Sequence, residues 1–332
     1  MRPRAVGMGG PASRWRPVGG VAILAVLLAT VGVGPVGEAL RSVDAKAVVA
    51  ATAIAAVTTT SAAVRWRVVA RRLGVELSLP AAVTGCYRAQ FLNSVLPGGV
   101  VGDVGRGVSH GRAVDDVGRG LRAVAWERSS GFVVLLGVAL LALLAAPPSS
   151  VPWSAVPVWV PVAAAGVVVG TLLMARAWAP ARFTRVVAGT SGDVRALLAP
   201  SAALPIVASS LVVLAGHVAT FAVAVRAAGV AVDAADLVPV ALIVLVLAAV
   251  PLNFAGWGPR EGAAVWAFAD AGLGASTGLT VAVVYGAIAL LATLPGALLL
   301  VVGRREGAAS RIAPGPHRGA LPVAVPGGAA DG

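Results

Sequence analysis

What this sequence lacks narrows its class at once. Only 12% of its 332 residues are charged, whereas 58% are hydrophobic, and the mean hydropathy is +0.90. A soluble domain with so little charge could not cover its own surface, because globular proteins carry about 25% charged residues. We therefore expect an all-α polytopic membrane protein with about 7–8 transmembrane helices.

Cysteine, histidine and lysine are also scarce. A single cysteine, Cys86, excludes an intramolecular disulfide framework and any multi-cysteine metal site. The three histidines, His110, His217 and His317, are too far apart in sequence to suggest a metal cluster. No stretch matches the P-loop pattern G-x-x-x-x-G-K-[ST], so we expect no ATP site, and we predict no cofactor.

Arginine supplies almost all of the positive charge, since Lys46 is the one lysine and the formal net charge is +12. A basic chain of this kind binds either nucleic acid or anionic lipid. Here the arginines separate apolar segments and do not form a basic domain. The pattern favours a membrane protein, and we expect no nucleic-acid partner.

Seven stretches are apolar enough to be candidate spans. They cover residues 17–36, 43–64, 131–146, 157–175, 201–225, 237–250 (short unless extended) and 277–302. Arginines concentrate in alternate loops, so the positive-inside rule predicts a multi-pass protein of the plasma membrane with both termini cytoplasmic. The predicted membrane domain, 17–303, lies between a basic cytoplasmic tail, 1–16, and a disordered Gly/Pro/Ala-rich cytoplasmic tail, 304–332.

Two further stretches, 80–101 and 251–274, are only half apolar and contain proline, glycine and asparagine. The first has arginines on both sides, so we expect it to enter from the cytoplasm and return without crossing. If the stretch 251–274 did not cross the membrane, the arginines after the last span would face the outside, against the positive-inside rule. We therefore expect the chain to cross at 251–274 in broken helical pieces. Irregular backbone at membrane depth must be buried by protein or line a wet cavity. Both breaks therefore predict a cavity.

The two breaks resemble each other. QFLNSVLPGGVVGDVGR at 90–106 and VPLNFAGWGPREG at 250–262 both contain Leu-Asn, then proline and glycine, then an acid and an arginine. Paired interruptions of this kind indicate a transporter-type site at the interface of an inverted repeat. For the glycines and prolines, ordinary turn chemistry is the alternative interpretation.

Polar residues at these breaks are candidates for the substrate site, because charge at membrane depth is costly and tends to be functional. We predict as substrate-binding residues Asn93, Pro97, Gly98, Asp103, Arg106, Glu127, Arg128, Asn253, Arg260 and Glu261. The alternative places the charged ones in solvated cytoplasmic loops. Glu127, in RGLRAVAWERSSG, is either a buried ion partner of Arg106 or Arg260, or a first-turn acid favoured by the helix dipole. His217 falls inside a predicted span, where we expect a hydrogen bond to another helix.

Three motifs, taken in order, resemble the transmembrane domain of the lysylphosphatidylglycerol synthase family. They are FLNSVLPGGVVGDVGRG, WERSSG and PLNFAGWGPREG. The resemblance covers about residues 18–302, with Val101 where a second glycine is common. It implies an inner-membrane domain with re-entrant segments that moves lipids between leaflets. The chain ends about 30 residues after the last predicted span, so we expect the flippase-like part without the soluble synthase.

Three functions remain open. The first is translocation of an anionic phospholipid or polyprenyl-linked lipid, in which Arg106 and Arg260 pair with phosphate while the nearby acids hold these arginines or move protons. The second is a membrane transferase or hydrolase with Asp103 or Glu127 as general base. Since no paired acidic metal motif accompanies them, we expect a non-enzyme. The third is an accessory subunit. Expected partners are the lipid, the bilayer, and either a second copy of the chain or a separate synthase.

Overall fold

The computed structural model describes residues 43–96, 99–145, 192–249 and 259–312. Several predictions lie outside these residues: the tail 1–16, the spans 17–36 and 157–175, and the site residues Pro97, Gly98 and Asn253. Within the described ranges every regular element is an α-helix, which confirms the predicted all-α class.

Two groups of four helices follow each other along the chain. The first group is α1 Ala45–Arg72, α2 Leu79–Val95, α3 Val101–Ala113 and α4 Val117–Ala145. The second group is α5 Pro200–Ala227, α6 Ala234–Ala248, α7 Pro259–Asp270 and α8 Ala275–Ile312, with a short helical segment at 192–198 before it. Each group has a long helix, two short ones and another long helix.

Local sequence explains where several helices begin. Asp44 caps α1, because its Oδ1 accepts a hydrogen bond from the backbone nitrogen of Ala47 at 2.7 Å. Pro80 and Pro200 lie in the first turns of α2 and α5, where a backbone N–H has no helical partner in any case. These starts fix which faces the helices turn to each other.

Four helices are long and apolar enough to cross a membrane, as far as the described residues show. They are Ala45–Arg72, Val117–Ala142, Pro200–Ala227 and Ala275–Val301. The helix that contains most of the predicted span 131–146 begins earlier, at Val117, and includes the whole RGLRAVAWERSSG motif. Likewise α1 continues past the predicted span 43–64 to Arg72, and α8 continues past residue 303 to Ile312.

Helices α2 and α3 form a hairpin. Their 17 and 13 residues correspond to about 25 and 20 Å, too short to cross a hydrocarbon core of about 30 Å. The Asn93 side chain reaches the backbone nitrogen of Gly102 at 2.7 Å, and Arg106 Nη1 lies 3.5 Å from Cys86 Sγ, so the helices are antiparallel. This geometry agrees with the predicted re-entrant segment.

Glycine permits the close packing of this hairpin. A Cβ at Gly102 would lie 2.2 Å from the carbonyl oxygen of Ala89 on α2, and one at Gly120 would lie 2.4 Å from the carbonyl oxygen of Gly107 on α3. No side chain fits at such distances, so α3 is held tightly between α2 and α4. The tight contact places the polar face of α3 against α4.

Helices α6 and α7 occupy the other end of the bundle. With 15 and 12 residues they are about 22 and 18 Å long, so neither crosses alone. Leu237 near the start of α6 and Leu273 just after α7 pack against the same hydrophobic cluster, which also holds the start of α1, the end of α5 and the first half of α8. Both helices therefore pack on this cluster. The predicted span at 237–250 corresponds to α6, and α7 lies within the stretch 251–274, where a crossing in broken pieces stays a prediction because residues 250–258 lie outside the described residues.

The first helices of the two groups, α1 and α5, run antiparallel, since Arg65 contacts Ser210 at 3.0 Å and Arg72 contacts Ser201 at 2.6 Å. A second hydrophobic cluster joins the end of α1 with the starts of α2, α4 and α5, opposite the first cluster. The short helix pairs thus lie at opposite ends, as an inverted repeat predicts.

Candidate functional site

A buried ion network joins three helices around Glu127. This side chain, on α4, is 1% exposed. Its Oε1 accepts a hydrogen bond from Arg65 Nε on α1 at 2.9 Å, and its Oε2 accepts one from Arg106 Nη2 on α3. A buried charge is tolerated only when it is paired and hydrogen-bonded in this way. One carboxylate therefore holds two guanidinium groups from different helices.

Asp103 continues the network at the start of α3. Its carboxylate accepts hydrogen bonds from Arg106 Nε at 2.9 Å, Arg128 Nη2 at 2.8 Å and Asn93 Nδ2 at 2.9 Å. The side-chain oxygen of Asn93 also accepts the backbone N–H of Gly102. Asn93 thus caps α3 from the neighbouring helix and orients the carboxylate of Asp103.

Aromatic and small residues complete the surroundings of the buried arginines. The Arg106 guanidinium carbon lies 4.5 Å from the centre of the Trp66 ring, a cation–π contact, and His110 meets the same ring edge-on with centroids 5.6 Å apart. Arg65 Nη1 donates to Ser210 at 3.0 Å and lies 2.8 Å from where a Cβ of Gly131 would be. Gly131 therefore makes room for the Arg65 guanidinium.

The network carries a surplus of positive charge. It contains three arginines and two carboxylates, Asp103 and Glu127, so the formal balance is three minus two, or plus one. The side chains of Arg65 and Arg106 are 5% and 4% exposed, but that of Arg128 is 50% exposed. Within the described parts of the chain, Arg128 Nη1 makes no hydrogen bond. The surplus charge is therefore presented at Arg128.

His217 is an exposed side chain on an otherwise buried face of α5. Ser210 lies seven residues before it and Phe221 four residues after it, so all three share one helix face. Both neighbours are buried, yet His217 is exposed. A polar group that approaches this face of α5 would therefore meet the His217 ring.

A second polar group lies beyond His217. The Tyr285 hydroxyl on α8 is 3.5 Å from His217 Nδ1, which agrees with the expected bond from His217 to another helix. Arg260 on α7 lies over the Tyr285 ring, with its guanidinium carbon 5.6 Å from the ring centre. Glu261 accepts a hydrogen bond from Arg260 Nε at 2.8 Å. Gly286 leaves space for this arginine, since a Cβ there would lie 2.6 Å from Arg260 Nη2.

The structure brings together half of the predicted site residues in one network, namely Asn93, Asp103, Arg106, Glu127 and Arg128. Arg260 and Glu261 form a separate pair. Glu127 is the partner of Arg106 and not of Arg260. It lies well inside α4, which begins at Val117, so the interpretation as a first-turn acid is wrong. A role of these residues in binding substrate stays a prediction.

Sequence reasoning missed Arg65, Trp66 and Tyr285 as members of the site. The predicted span 43–64 ends just before Arg65, the first of several arginines, so the sequence favours a loop at this position. A signal was present: Thr58, Arg65 and Val69 recur at spacings of seven and four, which places them on one buried stripe of α1. Tyr285 has no comparable signal, since its role depends on contacts from α5 and α7.

Comparison with known proteins identifies one family. A family model described as the lysylphosphatidylglycerol synthase TM region matches residues 17–296. This range covers most of the 332 residues and includes both the buried network and the Arg260–Glu261 pair. No curated protein and no solved structure matches the chain.

Proposed function

The chain belongs to the lysylphosphatidylglycerol synthase transmembrane-region family, and we propose that it moves an anionic phospholipid or an anionic lipid-linked intermediate between the two leaflets of a membrane. The family is membrane-embedded and related to lipid flippase function. In the proposal the acyl chains stay in the bilayer while the polar headgroup passes through the interior of the helix bundle.

The observation that carries the proposal is the surplus positive charge at Arg128. A guanidinium with an unengaged N–H edge suits a phosphate oxygen, since charge-assisted hydrogen bonds from arginine to phosphate are strong and directional. Asp103 holds the other edge of the Arg128 guanidinium at 2.8 Å and so fixes its orientation. A phosphate would therefore meet an arginine that is already positioned.

Arg128 is better suited to this role than Arg106. The Arg106 side chain is 4% exposed, and it donates to both Asp103 and Glu127. A lipid phosphate could reach it only by breaking a buried ion pair, which is costly. We therefore assign Arg106 to positioning Asp103 and Glu127, and Arg128 to binding the phosphate.

The two carboxylates are poorly suited to chemical conversion of a lipid. Asp103 accepts hydrogen bonds from Arg106, Arg128 and Asn93, and Glu127 accepts them from Arg65 and Arg106. Carboxylates stabilised by several cationic donors are weak general bases. The proposal is accordingly translocation without conversion, either facilitated or coupled to an ion, because the sequence has no P-loop pattern.

The orientation in the membrane is part of the proposal. Arg71 and Arg72 at the end of α1, with Arg119 and Arg122 at the start of α4, lie at the end of the bundle that holds the α2–α3 hairpin. By the positive-inside rule we place this end on the cytoplasmic side of the plasma membrane. Headgroups would then enter beside Arg128 from the cytoplasmic leaflet.

The test is lipid movement in reconstituted vesicles. Purified protein is inserted into vesicles with fluorescent phosphatidylglycerol, and accessibility of the label to an added quencher is followed. We expect wild-type protein to move the label and Arg128→Gln to move it about tenfold more slowly or worse, as for loss of a charge-assisted hydrogen bond. Arg226→Gln, at an exposed arginine near the end of α5, is the matched control and should behave as wild type.

Other outcomes decide between the remaining functions. Chemical conversion of the labelled lipid by pure protein would overturn translocation in favour of a transferase or hydrolase. No movement and no conversion by well-folded wild-type protein would also overturn it, and would favour an accessory subunit.

A further inference from the structure

Polar groups continue along the Ser210–His217 face of α5 beyond the level of the buried network. Ser210 is fixed at the level of the buried network by Arg65. His217 follows seven residues later on the same face of α5, which is about 10 Å further along the helix axis. Tyr285 and Arg260 lie beside His217. A headgroup that left Arg128 along this face would therefore meet a second set of hydrogen-bond donors.

This second set is not saturated. Arg260 gives Nε and Nη2 to Glu261, but its Nη1 has no hydrogen bond within the described parts of the chain. The Tyr285 hydroxyl and the His217 ring lie 3.5 Å apart, at the outer limit of a hydrogen bond, so both are able to turn to another acceptor. Guanidinium, phenol and imidazole are all suitable partners for a phosphate oxygen.

The charges that face the headgroup are of one sign. The acids beside the exposed arginines are mostly covered, with side-chain exposures of 12% for Asp103, 1% for Glu127 and 8% for Glu261. The arginines are more open, at 50% for Arg128 and 22% for Arg260. A headgroup moving between them meets positive charge first, which favours an anion and repels an added amine.

We infer that Arg260, Tyr285 and His217 form a second phosphate-binding station, which receives the headgroup from Arg128, and that this path selects a net-anionic lipid over one whose headgroup carries an extra amine. The inference rests on the proposed translocation. The ligand chemistry is a phosphate ester with one negative charge or more. A soluble phosphate ester shares that chemistry with a lipid, so the test includes both.

The experiment uses the vesicles described above and two conservative variants. Tyr285→Phe keeps the aromatic ring under Arg260 and removes only the hydroxyl. Its control is Tyr87→Phe, at the other tyrosine of the chain. We expect Tyr285→Phe to slow phosphatidylglycerol movement about threefold to tenfold, the factor for one hydrogen bond. Arg260→Gln should slow it about tenfold or more.

Binding separates the two stations. In detergent, labelled phosphatidylglycerol should bind Tyr285→Phe as well as wild type, since Arg128 is intact, and should bind Arg128→Gln weakly. If wild type and Arg128→Gln behave as expected but Tyr285→Phe and Arg260→Gln move lipid at the wild-type rate, the second station is wrong and translocation stands. If wild-type protein moves no lipid, the proposed function itself fails.

Two further probes test which headgroup is selected and whether the ligand is a lipid or a soluble phosphate ester. Labelled lysylphosphatidylglycerol carries two added amines, and we expect it to move at least about tenfold more slowly than phosphatidylglycerol, since like charges within a low-dielectric opening repel strongly. Equal rates would overturn the selection. Radiolabelled glycerol phosphate should not enter the vesicles. If glycerol phosphate entered at the rate of lipid movement, the ligand would be a soluble ester, and the proposal of a lipid ligand would be overturned.

Discussion

The two polar breaks have similar sequences but hold their arginines in different ways. At the first break Arg106 is 4% exposed and bonds to Asp103 on its own helix and to Glu127 on α4. At the second break Arg260 is 22% exposed, and its carboxylate partner is the next residue, Glu261. The first arginine ties helices together, whereas the second is held by a neighbour on the same helix.

The difference separates a structural role from a binding role. The first network joins α1, α3 and α4 through Glu127, so loss of one member leaves buried charges without partners. Arg260 and Glu261 both lie on α7, and Arg260 contacts α8 through the face of the Tyr285 ring. Substitutions of the buried members of the first network, Arg65, Arg106 and Glu127, should therefore act on stability, and those at the second break on lipid movement.

The largest effect is expected for Glu127→Gln. The change leaves Arg65 and Arg106 buried with a neutral partner, and breaking a buried ion pair costs about 3–5 kcal/mol. Thermal unfolding in detergent, followed by intrinsic tryptophan fluorescence, should show a lower midpoint. Glu76→Gln, at an exposed acid between α1 and α2, is the control and should unfold as wild type.

A double variant sharpens this result. Arg65→Met combined with Glu127→Gln removes one of the uncompensated charges and should recover part of the lost stability, because an apolar replacement of a buried pair is often tolerated. A Glu127→Gln protein that unfolds with the wild-type midpoint would mean that the network does not hold the helices together.

The next effect compares a glycine of the first break with a glycine of α8 that faces Arg260 of the second break. Gly102→Ala places a Cβ 2.2 Å from the backbone oxygen of Ala89, which cannot move without shifting α2. Gly286→Ala places a Cβ 2.6 Å from Arg260 Nη2, at the end of a flexible side chain. We expect Gly102→Ala to cost about 1–3 kcal/mol of stability, as overpacking does, and Gly286→Ala less. The measurement is again the unfolding midpoint.

The reverse order of these two midpoints would contradict the comparison. It would mean that the Arg260 side chain is held as rigidly as the backbone between α2 and α3. Gly286→Ala should instead disturb lipid movement, since it displaces the Arg260 guanidinium from its place over Tyr285.

A smaller effect is expected for Asn93→Ala. The change leaves the backbone N–H of Gly102 and one oxygen of Asp103 without their Asn93 partner, which costs about 1–2 kcal/mol. Hydrogen exchange should speed up at the first amides of α3. Ser94→Ala, which removes only a bond to the carbonyl of Gln90 within α2, should leave these amides protected. Unchanged exchange in Asn93→Ala would show that α3 does not depend on this cap.

Much of the site was predictable because charge is rare in this sequence. In a chain with 12% charged residues, Asp103, Arg106 and Glu127 stand out beside polar breaks, and each proved to be part of one network. The start of α4 was not predictable in the same way. Its first turns are as polar as a loop, because one face carries arginines while Ala123, Val124 and Glu127 turn inward.

The number of crossings shows another limit of sequence reasoning. The positive-inside rule fixes only whether an odd or even number of crossings separates two loops. The rule is satisfied equally well by one crossing or by three crossings between the end of α5 and the arginines after α8. Among the helices that the structure describes there, α8 alone is long enough to cross by itself, because α6 and α7 are each too short. Contacts such as His217 with Tyr285, 68 residues apart, depend on that arrangement.

The smallest effect on stability is expected for Arg260→Gln. The Arg260 side chain is 22% exposed, so water can replace part of its contacts when the charge is lost, although its partner Glu261 is buried. Arg106→Gln, the equivalent change at the first break, should cost several times more, since it strips Glu127 and Asp103 of a buried donor. The check is to compare both midpoints with wild type in the same detergent. Equal losses would show that the second break is also structural, and slow lipid movement in Arg260→Gln would then reflect a damaged fold. A wild-type midpoint with slow movement assigns Arg260 to the headgroup path itself.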